Sequence, residues 1–198
     1  VDTGDNSNKN SETNINPETE NKVHQEEGEL LDHWEEIESL ISQGESNTLE
    51  FKESLSYDAK TKQKEKYIEL MVLKTIAAFI NSEGGILLIG VKDDGSITGI
   101  DYEAKKLYSG DEKLVFMDGF LRHLGNILKN SIGKKFFSYI KFQRIECNGV
   151  SIVKVECDKL ISGTGCYVGK KFYMRHGAST LELKGNDLVS YVQRHFKS

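Results

Sequence analysis

Two strand-like blocks constrain this chain more than any other feature: Glu45-Ser46-Asn47-Thr48-Leu49-Glu50-Phe51-Lys52, and Gly84-Gly85-Ile86-Leu87-Leu88-Ile89-Gly90-Val91-Lys92-Asp93-Asp94-Gly95. Leu49-Glu50-Phe51-Lys52 alternates apolar and charged residues, the period of a half-buried strand. Ile86 to Val91 is a short apolar run closed by the turn tripeptide Asp-Asp-Gly. Pairing of the two blocks can bring three carboxylates and a lysine into one site. Clustered acids repel one another and call for a divalent cation or a cationic partner. The expectation is metal-dependent chemistry on a phosphate.

The rest of the chain supplies the surroundings. Leu30–Ile41 places Leu30, Leu31, Trp34, Ile37, Leu40 and Ile41 at helical spacing, ending near Gly44. Ser54–Lys66 is polar and lysine-rich and reads as a loop, running into a strongly apolar helix over Tyr67–Asn81. Gly84-Gly85 then reads as a tight turn into the next strand, not a phosphate cradle, because no Gly-x-x-x-x-Gly-Lys-Ser/Thr pattern surrounds it. Ile97–Ile100 completes a hairpin around Asp93-Asp94-Gly95. Leu114–Ile132 is a second helix, followed by strands over Phe136–Ile145, Val150–Cys157 and Lys171–Arg175 and a closing helix over Asp187–Phe196. Asn148-Gly149 is a strong two-residue hairpin signal. Without a regular strand–helix alternation, the fold class is α+β, a mixed and mostly antiparallel sheet flanked by helices.

Charge is unevenly distributed. Residues 1–29 hold eight Asp/Glu and two Lys, a charge of −6, which leaves 23 acidic and 24 basic residues, or +1, in the remainder. The acidic balance therefore does not argue against an anionic substrate. Poor in large apolar residues, segment 1–29 reads as a disordered leader or linker ahead of a domain over residues 30–198. The chain opens with Val, so an upstream module in a longer protein is expected. Neither a membrane-spanning stretch nor a secretory signal is visible, which points to the cytoplasm and no membrane contact. Cys147, Cys157 and Cys166 lack metal-ligand spacing and read as structural thiols. Lys134-Lys135 and Lys170-Lys171, with Arg175 and the interleaved Phe172 and Tyr173, can track an RNA backbone and stack on a base.

Three boxes in order resemble the Schlafen family core, the AlbA-type domain that bacterial and archaeal proteins share with vertebrate Schlafens. These are Glu45-Ser-x-x-x-Glu50-Phe51-Lys52, Phe79 to Val91 with its Asn-Ser-x-Gly-Gly and Leu-x-Ile-Gly-Val, and Tyr173-Met-Arg175-x-Gly177-x-Ser179-Thr180. The resemblance implies a divalent-cation-dependent endoribonuclease acting on structured RNA such as tRNA. Its catalytic carboxylates fall by motif on Glu45, Glu50 and Asp93, which would bind Mg²⁺ or Mn²⁺. Lys52 shares the strand face of Glu50, since side chains alternate, and joins the catalytic group. Lys52, Lys170, Lys171 and Arg175 are expected to hold RNA phosphates.

Vertebrate ribonuclease Schlafens form a cradle from two related lobes. This chain has one copy of the domain, so a homodimer is expected to supply the second wall. The family's zinc cluster has no counterpart here. The first rival is a non-catalytic nucleic-acid-binding regulatory module, contacting RNA or DNA through the basic strand while the carboxylates are structural. An ATP-dependent regulator and the effector end of a larger defence protein are further readings; the missing phosphate-loop motif argues against the former.

Overall fold

Leu49–Lys52 (β1) pairs in parallel with Gly85–Ile89 (β4), and an apolar crossover helix, Lys66–Asn81 (α2), lies between them in the chain. A computed structural model describes residues 33–108 and 112–196. The expected leader over 1–29, like Leu30 and Leu31, lies outside those residues. Residues 33–43 are helical (α1). On its other edge β4 pairs antiparallel with Val150–Cys157 (β6), which pairs with Ile140–Cys147 (β5), giving the order β1-β4-β6-β5. Asn148 and Gly149 join β5 to β6 with φ of 52° and 78°, the positive pair that a tight hairpin needs.

Strand alternation sorts this sheet into two faces. Leu49, Phe51 and Leu88 point to a small apolar cluster with Ile37 of α1, Val91, Ile145 and Ile152. Leu87 and Ile89 point the other way, into the main core with α2 and the helix Lys113–Ser131 (α4). Ile76, Phe79 and Ile80 of α2 are fully buried there, each contributing about 1.5–3 kcal/mol by leaving water. The Gly84 turn is a close approach: a Cβ there would stand 2.6 Å from the Cys157 carbonyl oxygen.

A second, three-stranded sheet, Tyr167–Val168 (β7), Lys171–His176 (β8) and Ser179–Leu183 (β9), packs beside the C-terminal end of α2. The closing helix Gly185–His195 (α5) buries Tyr191 against Phe172. Cys157 and Cys166 are free and buried, and burial pushes both thiols up, Cys166 to about 12.

Several local expectations need correction. Lys134–Tyr139 is a 3-10 helix and β5 begins only at Ile140, since Gly133 and the packing of Phe136 redirect the chain. Part of the expected 54–66 loop is a hairpin, Tyr57–Asp58 (β2) with Gln63–Lys64 (β3), nucleated by Asp58, whose Oδ1 accepts from the Lys60 and Thr61 amides. Ile97–Ile100 makes one bridge, Val91 with Ile97, and then leads into a helix the sequence reading lacked, Asp101–Leu107 (α3).

Candidate functional site

β1 delivers Glu50 and Lys52 to the face that looks toward α2, and β8 delivers Tyr173 and Arg175 from the second sheet. Where they meet is a cavity of about 400 Å³ lined by Glu50, Lys52, Lys74, Tyr173, Thr180 and Glu182, with Met71 and Thr75. Glu50 is 8% exposed, and two cations hold it. Its Oε1 accepts from Lys52 Nζ at 2.6 Å, and its Oε2 lies 2.8 Å from Arg175 Nη1. The second contact is an ion pair by distance without a well-aligned hydrogen bond, which leaves Glu50 Oε2 and Arg175 Nε underused.

The Arg175 side chain is fully buried, and the fold around it explains how a buried cation is tolerated. Nη2 donates to the Ser46 carbonyl at 2.6 Å, Nη1 donates to Thr180 Oγ1 at 3.1 Å, and the guanidinium lies 5.0 Å from the Phe79 ring centroid. The Asn81-Ser82 pair fixes the strand carrying it. Asn81 Nδ2 donates to the Cys166 and Tyr173 carbonyls, its Oδ1 accepts from the Cys166 amide, and Ser82 Oγ accepts from the Arg175 amide. Tyr191 hydroxyl donates to the Asn81 carbonyl, tying α5 to the same point.

At the groove mouth Glu182 contacts Lys171 and Lys184, each at 3.1 Å. Burial alone would raise the Glu182 carboxyl, but the hydrogen bonds from the two lysines outweigh it and hold it below its ordinary value. Burial, then the Glu182 charge, raises the Tyr173 hydroxyl. Glu182 thus keeps its charge at neutral pH. Lys74 Nζ sits 5.4 Å from the Tyr173 ring centroid, over a ring rather than on a carboxylate.

The expected convergence of Glu45, Glu50 and Asp93 is not found. Glu45 Oε1 accepts from the Phe51 amide at 2.9 Å and so braces the entry to β1. Asp93 lies exposed in the turn after β4, in a separate shallow cavity with Glu53, Lys92 and Asp94. Among the described residues no three His, Cys, Asp or Glu side chains are grouped so as to hold a metal ion. The physical reason is at Glu50, where Lys52 and Arg175 already supply the positive charge that a cation would bring. These residues, as arranged, do not fit a three-carboxylate Mg²⁺ or Mn²⁺ centre.

The expected phosphate contacts divide. Lys52 lines the groove but is engaged with Glu50, and Arg175 is buried in its ion pair, so neither is a free phosphate ligand. Lys171 is exposed at the mouth; Lys170 is exposed on the β7–β8 turn and does not line the groove. Phe172 and Tyr173 are both buried in the main core, so the expected open stacking ring is absent from β8. Sequence reading missed Lys74, Thr180 and Glu182. Lys74 had a signal: it is a lone cation in an apolar helical run, where a lysine needs a reason.

Comparison with known proteins agrees with this architecture. A family model described as Schlafen, AlbA_2 matches residues 45–184. No curated protein matches the sequence. The crystal structure of the DIP2311 protein from Corynebacterium diphtheriae is similar at a TM-score of 0.50 and 14% identity, over 88% of this chain and 30% of that one. At that identity the likeness shows the fold alone, and the chain spans under a third of that protein's length.

Proposed function

The chain belongs to the Schlafen AlbA_2 family, and from that footing we propose that it binds RNA in the groove between β1, α2 and β8–β9. The observation that carries the reading is Lys74, presented at the cavity over an aromatic ring and, among the described residues, in no ion pair with a carboxylate. The charge balance supports it: Lys52, Lys74, Lys171, Arg175 and Lys184 face two carboxylates, Glu50 and Glu182. Glu50 offsets one of the two cations nearest the floor and Glu182 one of the two lysines at the mouth, so net positive charge remains along the groove, with Lys74 and the mouth lysines placed where a phosphate backbone can approach. In this reading Glu50, Lys52 and Arg175 are the scaffold that sets the groove's shape.

Fluorescence anisotropy of a labelled tRNA-like hairpin over a series of salt concentrations tests the proposal. Wild-type affinity should fall linearly with the logarithm of salt, by about 0.7–0.9 in slope per phosphate neutralised. Lys74→Ala should weaken binding about fivefold and reduce the slope by about one phosphate's worth. Binding that Lys74→Ala leaves unchanged would remove the groove from the account, and tighter binding to duplex DNA than to RNA would reassign the ligand.

A second reading, metal-dependent cleavage of tRNA-like RNA through Glu45, Glu50 and Asp93, takes support from one observation. Glu50 Oε2 is buried without an aligned hydrogen bond, although Arg175 Nη1 stands 2.8 Å from it. Against it, Lys52 and Arg175 hold Glu50 and Asp93 lies elsewhere.

A further inference from the structure

A separate cavity of about 260 Å³ is lined by Glu53, Tyr57, Lys62, Thr98, Tyr102 and Glu103 together with Ser54, Ala59 and Gly99. The two are neighbours in the chain, since Lys52 lines the groove and Glu53 the cavity. We propose that this cavity receives an unpaired nucleobase of the RNA, a reading that rests on RNA binding at the groove.

Its walls are aromatic and unequally exposed. The Tyr57 and Tyr102 rings meet edge to face, with centroids 5.5 Å apart and planes at 67°, and their hydroxyls are 3.5 Å apart. Tyr57 is 6% exposed and Tyr102 64%, so one ring is fixed and the other offers its surface to an incoming group. Planar bases stack on such rings whatever their sequence.

The frame is stiff. Glu103, 4% exposed, accepts from the Leu55 amide, the Ser56 amide and the Ser56 hydroxyl, so α3 carries both the exposed ring and the anchor for the loop that positions the buried one. On the far side the β2–β3 turn places Lys62 at φ 57°, a left-handed backbone costing about 1 kcal/mol for a residue with a Cβ, and its amide donates to the Asp58 carbonyl at 2.8 Å.

Charge and size select the occupant. The lining has two carboxylates, Glu53 and Glu103, against one lysine, which disfavours a phosphate or other anion. Glu53 at the exposed rim can accept from an exocyclic amine, and the tyrosine hydroxyls can donate to or accept from ring edges. The volume lies below the usual range for drug-sized ligands and suits a single heterocycle rather than a dinucleotide.

The test compares a short all-adenine RNA oligomer with an abasic oligomer of the same length, using wild type, Tyr102→Ala and Lys74→Ala. Tyr102→Ala should weaken the adenine oligomer about tenfold and leave the abasic one unchanged. Lys74→Ala should weaken both, reporting on the groove alone. Equal effects of Tyr102→Ala on both oligomers, or none, in a protein that still binds RNA would overturn the base pocket and leave the groove standing. If wild type binds neither oligomer, titration with adenosine followed on the tyrosine ring protons decides. Saturable shifts lost in Tyr102→Ala would establish the pocket for a free nucleoside without the groove, and no shift would overturn it.

Discussion

Glu50 and Asp93 lie near the ends of neighbouring, paired strands, yet the fold treats them in opposite ways. Glu50 is buried between Lys52 and a fully buried Arg175, with Asn81 and Ser82 fixing the strand that carries the arginine. Asp93 stands in an exposed turn whose ordered member is Asp94, with Oδ1 accepting from the Ser96 amide at 2.8 Å. The same side-chain chemistry is structural in one place and solvent-facing in the other. What differs is whether the packing delivers buried cations to it: β8 brings an arginine to Glu50, whereas among the described residues only the half-exposed Lys92 shares the cavity of Asp93.

The largest break in that contrast is expected at Glu50. Glu50→Ala leaves the Arg175 charge buried and unpaired and should cost about 3–5 kcal/mol, whereas Asp93→Ala should change stability by less than about 0.5 kcal/mol. Urea denaturation of the two variants measures the difference, and equal small effects would show that the buried pair is not formed. Asn81→Ala comes next: it strips partners from two buried carbonyls and one buried amide and should cost about 2–3 kcal/mol.

A weaker effect, in pH dependence, is expected at Glu103, which extends the contrast to a buried acid held by amides instead of cations. Burial raises its carboxyl above the ordinary value, outweighing the hydrogen bonds from Leu55 and Ser56. Its contribution to stability is therefore complete below the ordinary carboxylate pKa and is lost as pH rises through the raised one. Urea midpoints should decline across that window in wild type and lose that component in Glu103→Gln; identical slopes would contradict it.

How much of this was legible in the sequence follows the reach of each signal. The alternation in Leu49–Lys52, the apolar run of α2 and Asn148-Gly149 are local patterns, and each corresponds to an observed element. The boxes that carried the resemblance agree with the family match over residues 45–184. Tertiary partnership was not legible. Nothing near Glu50 in the chain announces that Arg175 will neutralise it, so a carboxylate that read as a metal ligand is an ion-pair partner here. Asn81-Ser82 stood in the second box without an assigned role, and its hydrogen bonds to residues 85–93 positions away became visible only with β8 in place. The Lys134–Tyr139 segment misled because its aromatics suit a strand while Gly133 and the buried Phe136 set a 3-10 turn.

The most direct test of the central claim incubates total tRNA with the purified protein in EDTA, Mg²⁺ or Mn²⁺, reading retained complex and strand scission together for wild type, Lys74→Ala and Asp93→Ala. Binding at a phosphate groove predicts a complex that forms in EDTA, weakens in Lys74→Ala and is indifferent to Asp93→Ala. Discrete fragments that require the metal and vanish in Asp93→Ala would contradict it and establish the carboxylates as a metal-dependent nuclease centre.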